Sequence, residues 1–289
     1  PDDQLAQLQL NLIRSHAAGV GEPLPKDQTR ALMAARINCL LKAHSGIRPE
    51  PIQHLAACLN ADVIPVIPSL GSVGASGDLA PLAHMALLLV GEGLAWSTSG
   101  PIPGLQALER AGLEPLTLQP KEGLALINGT QMITALGNLA VARLRKLLPL
   151  ADEIAALSLE ALRGTRAAYD PRIHEARPHP GQIEVAEHMR NLLGPTSEIA
   201  ESHKHCHRVQ DAYPLRCLPQ VHGVARDALR FAAEILEREL NSATDNPMIF
   251  TETQESRSGG NFHGQYPAFA CDLLAIAVCD LASISERRQ

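Results

Sequence analysis

The chain has 289 residues, a net charge of −6 and 45% apolar residues, a globular composition with room for about two ordinary domains or one large one. Its acidic balance and lack of any Lys/Arg block leave no electrostatic footprint for nucleic acid. Aromatic residues are only 3%, whereas 41 Ala and 43 Leu make up more than a quarter of the chain; that excludes an aromatic-rich β-sandwich and predicts a mainly α fold of long packed helices.

Apolar periodicity predicts helices over residues 4–18 and 27–44, separated by the Gly/Pro-punctuated stretch 19–25. A helix over 49–60 opens on Pro49 and Pro51, which a first turn tolerates. Residues 63–81 are too rich in Pro and Gly for a regular helix. A further helix follows from about Asp78, a potential N-cap, to Val90. This apolar run contains His84 and is too short to span a bilayer, so no membrane contact is expected. A long helix is predicted over 130–163, bent at Pro149, with Leu144, Leu147, Leu148, Ala151, Ile154 and Ala155 on one face. Residues 164–182 read as loop and 182–193 as helix. A polar link (201–212) leads to a second long helix, about 214–240, whose Leu229, Ala232, Ala233, Leu236 and Leu240 share a face. Turn signals fill 241–263, and a last helix runs from about 265 to 288. Two long helices and a third cut at the chain end suggest a bundle completed elsewhere.

PDDQLAQLQL at the start lacks the zones of a signal peptide. Cys39, Cys58, Cys206, Cys217, Cys271 and Cys279 form no C-x-x-C pair and read as reduced thiols of a cytoplasmic protein. The chain begins without Met and stops in a charged, helix-like run, so both ends are expected to be cuts in a longer sequence. His203, His205, Cys206 and His207 offer metal-ligating atoms. Their alternating spacing suits a closed tetrahedral site poorly, so a polar surface link is expected there, with no metal.

The most informative stretch is Gly71-Ser-Val-Gly-Ala-Ser-Gly-Asp78. It is no Walker loop, because no Lys-Ser/Thr follows the last glycine, and its glycines three apart do not make a dinucleotide fingerprint. By itself it reads as a Gly-rich turn before a helix. Asn128 alone would cap a helix, Tyr213 would be a core tyrosine, Arg216 a solvated charge, Gln210 a loop hydrogen bond, Phe262 packing and His16 a structural histidine.

With its neighbours, GSVGASGDLAPLAHM (71–85) resembles the signature segment of the histidine/phenylalanine ammonia-lyase family. SHAAGVGEPL (15–24), HSGIRP (44–49), EGLALINGTQ (122–131), DPRIH (170–174), HPGQ (179–182), VQDAYPLRCLPQ (209–220), DNP (245–247) and SGGNFH (258–263) all have family counterparts in the same order. Ala212 departs from the proline usual in the family. The resemblance implies a fumarase/aspartase-like helical bundle, with a prosthetic-group-bearing region over about 1–128 and a C-terminally truncated central bundle over about 129–289. It implies that Ala75-Ser76-Gly77 cyclises without help into 4-methylidene-imidazol-5-one, with no metal or nucleotide. The chemistry suits the residues: Gly77 permits a compressed turn, and Ser76 can lose water to leave an exocyclic methylene. The resemblance also implies that Asn128 and Phe262 lie beside the ring and that Gln210 lines the site. Tyr213 is implied in proton transfer, and Arg216 grips the substrate carboxylate.

Ser15-His16 matches the histidine-specific members, and a polar pair suits an imidazole better than a phenyl ring. The implied reaction is loss of ammonia from L-histidine to give trans-urocanate, in a homotetramer whose sites draw on several subunits. A phenylalanine or tyrosine lyase, an aminomutase, and a non-catalytic fragment are the competing readings. The family's mobile tyrosine loop would precede Pro1, and a further glutamate would follow Gln289.

Overall fold

The computed structural model describes residues 2–202, 205 and 207–289. In chain order the elements are α1 (Asp2–His16), β1 (Val20–Pro23), α2 (Lys26–Leu40), α3 (Pro49–Asn60), β2 (Pro68–Leu70), α4 (Leu79–Leu89), β3 (Leu94–Ser97), β4 (Gly100–Pro103), α5 (Gly104–Arg110), α6 (Glu122–Ile127) and α7 (Gln131–Ala161). There follow α8 (Pro171–Glu175), α9 (Pro180–Leu193), α10 (Glu198–Ser202), α11 (Tyr213–Arg216), α12 (Leu218–Leu240), β5 (Met248–Phe250), β6 (Glu255–Arg257) and α13 (Gln265–Glu286). The fold is mainly α. The strands form three separate antiparallel pairs: β1 with β2, β3 with β4 and β5 with β6.

Two compact units share the chain, one made of Pro1–Leu139 with Ile235–Ala268, the other of Ala140–Glu234 with Phe269–Gln289. The long helices α7, α12 and α13 run from one unit into the other. In the first unit the apolar faces of α1 to α6 converge on a core that includes Ile13, Leu32, Met33, Leu55, Leu82 and Leu126. α4 is apolar nearly all round and seven of its eleven residues are buried, as expected of a helix enclosed on every side. In the second unit Leu159, Tyr169, Val185, Met189, Leu215 and Leu218 pack together. The Tyr169 hydroxyl donates to the Leu215 carbonyl at 2.8 Å, so this buried phenol keeps a partner.

The helices expected over 49–60, 130–163 and 265–288 form within a residue or two of those bounds. Two details differ. Leu147 and Ile154, expected on the buried face of α7, are 43% and 47% exposed; the buried line is Val141, Leu148, Asp152, Ala155 and Leu159. A charge sits in that line because Asp152 is saturated with donors. His222 Nδ1 donates at 2.6 Å, His188 Nδ1 at 2.9 Å, and Arg226 also binds it. Burial opposes ionisation, yet these bonds and the Arg226 charge hold the Asp152 carboxyl below its ordinary range. The second difference is α13. It is long and apolar enough to cross a membrane, as core helices of soluble proteins also are. Its Ala270, Leu274, Ala277, Leu281 and Ile284 form a buried stripe, while Tyr266, Phe269 and Ile276 stay exposed.

Candidate active site

Gly71–Asp78 folds into a tight reversal. Gly74 and Gly77 form an antiparallel bridge with Ala75-Ser76 at its tip, and the Gly77 amide donates to the Gly74 carbonyl at 3.0 Å. Both glycines adopt left-handed backbone, φ +71° and +74°, which side chains other than hydrogen resist. Gly77 is also hemmed in. A Cβ there would lie 2.4 Å from the Gly129 carbonyl oxygen and 2.7 Å from that of Phe262. The turn is therefore clasped by two segments remote in sequence, and Gly264 donates to the Gly74 carbonyl at 2.9 Å from the same side as Phe262.

Asp78 closes the turn. The sequence suggested a helix N-cap, and Asp78 does occupy that position, but its side chain caps nothing in α4. Its carboxylate accepts instead from Ser72 Oγ at 2.6 Å and from the Ile133 amide at 3.0 Å, while its own amide donates to Gly129 O at 2.7 Å. Full burial pushes the Asp78 carboxyl above its usual value, against the bonds it accepts and the charge of Arg36. Glu239, which accepts from Thr130 Oγ1 at 2.6 Å, is raised as well, first by burial and then by Asp78.

Asn128 ends α6 and is 7% exposed. Its carboxamide has no hydrogen-bond partner among the described residues, and its backbone carbonyl is held by Arg36 at 3.0 Å. Arg36 is fully buried. It also donates to Gln131 Oε1 at 2.5 Å and to the Ala125 carbonyl, and so fixes the turn between α6 and α7 from below. Asp78, Arg36 and Glu239 were not singled out as site residues. Arg36 signals itself only as an ionisable residue interrupting an apolar helix face, between Leu32, Met33, Ala35 and Cys39; Asp78 reads only as an N-cap.

His16 ends α1. Its Nδ1 donates to the Leu12 carbonyl at 2.8 Å, which Ser15 Oγ also reaches at 2.8 Å. A carbonyl only accepts, so Nδ1 carries the proton and, in the neutral ring, Nε2 keeps a lone pair. The turn after His16 returns as β1 beside β2, pairing Val20 with Leu70 at the start of the signature segment.

The remaining expected residues lie in the second unit. Gln210 and Arg216 line one cavity of about 400 Å³ with Thr165, Asp211 and Gln220. The Arg216 Nε donates to the Asp211 carbonyl at 3.4 Å, leaving the terminal nitrogens of its fork uncommitted among the described residues. Tyr213, 65% exposed, lines a different cavity of about 460 Å³ with Arg177, Gln220 and Arg287. Gln220 borders both cavities, and its buried Oε1 has no partner among the described residues. Ala75, Ser76, Gly77, Asn128 and Phe262 are thus gathered in one unit, Gln210 and Arg216 in the other, with Tyr213 one cavity away from them. Of the histidine-rich link, His205 and His207 are exposed, and His203 and Cys206 lie outside the described residues. No group of three potential metal ligands occurs among the described residues.

Fold and site together define a helical protein built around a glycine-flanked tripeptide turn whose Gly77 is clasped by the Gly129 and Phe262 carbonyls. The chain belongs to the aromatic amino acid lyase family, which matches residues 1–289. It is 56% identical over 292 residues to a histidine ammonia-lyase of Caenorhabditis elegans, covering all of this chain and 43% of that one. Among solved structures it is similar to histidine ammonia-lyase from Trypanosoma cruzi (50% identity, TM-score 0.91, all of this chain and 54% of that one). It is also similar to the phenylalanine aminomutase of Pantoea agglomerans (36%, TM-score 0.94, 100% and 58%). The chain spans about half the length of the curated relatives it matches.

Proposed function

We propose that this chain carries the electrophile-forming half of a histidine ammonia-lyase, which eliminates ammonia from L-histidine to give trans-urocanate. The observation that carries the reading is the clasped Ala75-Ser76-Gly77 turn: no residue but glycine fits at 77, and the clamp is made of backbone carbonyls that cannot move aside cheaply. The residues fit 4-methylidene-imidazol-5-one. Ala75 and Ser76 are small and sit at the tip of a reversal that brings Gly74 and Gly77 together, and the Asn128 carboxamide, uncommitted among the described residues, is the donor that the family resemblance puts beside the ring. When formed, that group supplies an electrophilic carbon toward the substrate amine.

The rest falls to the chain's own side chains. The fork of Arg216 pairs with a carboxylate in bidentate fashion, with Gln210 beside it. His16, protonated on Nδ1, offers Nε2 as an acceptor to a ring N–H of the substrate. A phenyl ring would leave that acceptor unpaired, which penalises phenylalanine and tyrosine. Tyr213 moves a proton during elimination. The working enzyme is a homotetramer with sites shared between subunits. It is cytoplasmic, a reading that the unpaired state of Cys39, Cys58, Cys217, Cys271 and Cys279 supports.

The test is formation of urocanate by the complete protein, with phenylalanine and tyrosine as alternative substrates. Ser76→Ala should abolish turnover with the helical fold intact; near-normal activity in that variant, or turnover of phenylalanine and not of histidine, would overturn the proposal.

A further inference from the structure

α4, which starts immediately after the tripeptide turn, carries His84. Its Nε2 accepts a hydrogen bond from the Gly19 amide at 3.1 Å. An accepting Nε2 is unprotonated, so the ring is neutral with its hydrogen on Nδ1. Burial favours that form by lowering the affinity of His84 for a second proton.

The partner is unusually placed. Gly19 lies three residues after His16, in a turn where the Ala18 amide donates to the His16 carbonyl at 2.8 Å. Its φ lies outside the left-handed region, so its backbone does not demand glycine. The space around it is tight. A Cβ on Gly19 would lie 3.1 Å from His84 Nε2, 3.2 Å from His84 Cδ2 and 3.3 Å from Pro68 Cβ. Gly71 is packed from the other side: a Cβ there would lie 3.0 Å from Ala80 Cβ and 3.2 Å from Gly19 Cα. The turn after His16, the start of the signature segment and the first turns of α4 therefore meet at one junction with two absent side chains and one hydrogen bond.

We propose that His84 is a positioning residue for the substrate side-chain pocket: by accepting the Gly19 amide, it fixes the turn behind Ser15-His16 against the helix that follows Ala75-Ser76-Gly77. The inference rests on the lyase reading of the site. His84 does not touch the tripeptide or the substrate; it sets where His16 stands relative to the turn that forms the electrophile. Losing the bond strands a half-buried amide and lets the turn drift, which weakens recognition of the substrate ring more than the chemical step.

The experiment uses the complete protein with His84→Leu, His84→Gln and Gly19→Ala. Glutamine keeps an acceptor at similar reach. Hydrogen exchange of the Gly19 amide, read on a peptide covering 17–23, should quicken roughly tenfold in His84→Leu and Gly19→Ala and stay near wild type in His84→Gln. KM for the amino acid that the wild type turns over should rise roughly tenfold in His84→Leu, with kcat changed less than about threefold and rescue by His84→Gln. The two-water mass loss on the 71–78 peptide should persist in all three. Unchanged exchange in His84→Leu, faster exchange without a rise in KM, no rescue by His84→Gln, or loss of the two-water change would each overturn the proposal. The exchange arm needs no turnover. If the wild type prefers phenylalanine or tyrosine, the histidine reading falls, and KM for that substrate tests His84 in its place.

Discussion

Replacing Arg36 with methionine isolates what a fully buried guanidinium does beneath the site. Methionine keeps most of the length and apolar volume of the arginine stem, so little cavity opens. What disappears is the donor set for three oxygen acceptors, Gln131 Oε1, the Ala125 carbonyl and the Asn128 carbonyl. A buried acceptor left bare costs about 1–3 kcal/mol. The Gln131 carboxamide is anchored by its Nε2 bond to Thr244 Oγ1 at 2.6 Å, so its Oε1 can turn to another donor only by giving up that bond. The two backbone carbonyls cannot rotate. Removing the cation also removes the cost of burying it. The balance is a loss of about 3–5 kcal/mol, read from urea denaturation of the complete protein at fixed concentration. Arg36→Lys, with its compact ammonium, should recover part of the loss without restoring all three bonds. A change below about 1 kcal/mol in Arg36→Met would show that the acceptors find other donors and that the α6–α7 turn does not depend on this residue.

Gly77→Ala combines left-handed backbone with a Cβ 2.4 Å from a carbonyl oxygen; it should block the two-water mass loss on the 71–78 peptide, and a peptide with the full loss would refute the clasp. Asp152→Asn leaves two histidines and Arg226 around a neutral amide and should cost about 3–5 kcal/mol in urea denaturation; a cost under about 1 kcal/mol would mean that the carboxylate charge is dispensable. Burial lowers the proton affinity of His54 from its ordinary 6.5. The unfolded chain therefore binds the extra proton first as pH falls below 6.5, and stability drops from there down to the folded value. His54→Gln removes one such group, so its stability should differ less between pH 7.5 and 5.5 than the wild type's; an equal or larger difference would refute the assignment.

Much of the helical frame was legible from periodicity, because α7, α12 and α13 are long enough for an apolar repeat to declare itself. The hairpins were not. VGEP in β1 is exposed, PSL in β2 is half-buried with only Leu70 exposed, both are short and poor in β-branched residues, and backbone pairing rather than side-chain burial makes them strands. The buried face of α7 was misjudged because an acidic residue, Asp152, belongs to it, and only the facing His188, His222 and Arg226 explain why. The tripeptide was readable from its glycines and their neighbours, whereas its clasp was not. Gly129 O and Phe262 O are backbone atoms without any side-chain signature. Tyr213 sits three residues from Arg216 in sequence, yet the short turn α11 directs the two toward different cavities.

The interleaving of the two units has a practical consequence for anyone shuffling this sequence with a relative. Cys39 and Gln131 depend on Thr244, Thr130 on Glu239 and Lys121 on Asp245. A crossover placed at residue 140 would give these pairs different parents, however neat it looks on a linear map. A chimera that respects the molecule exchanges 1–139 and 235–268 together, as one cassette in two pieces.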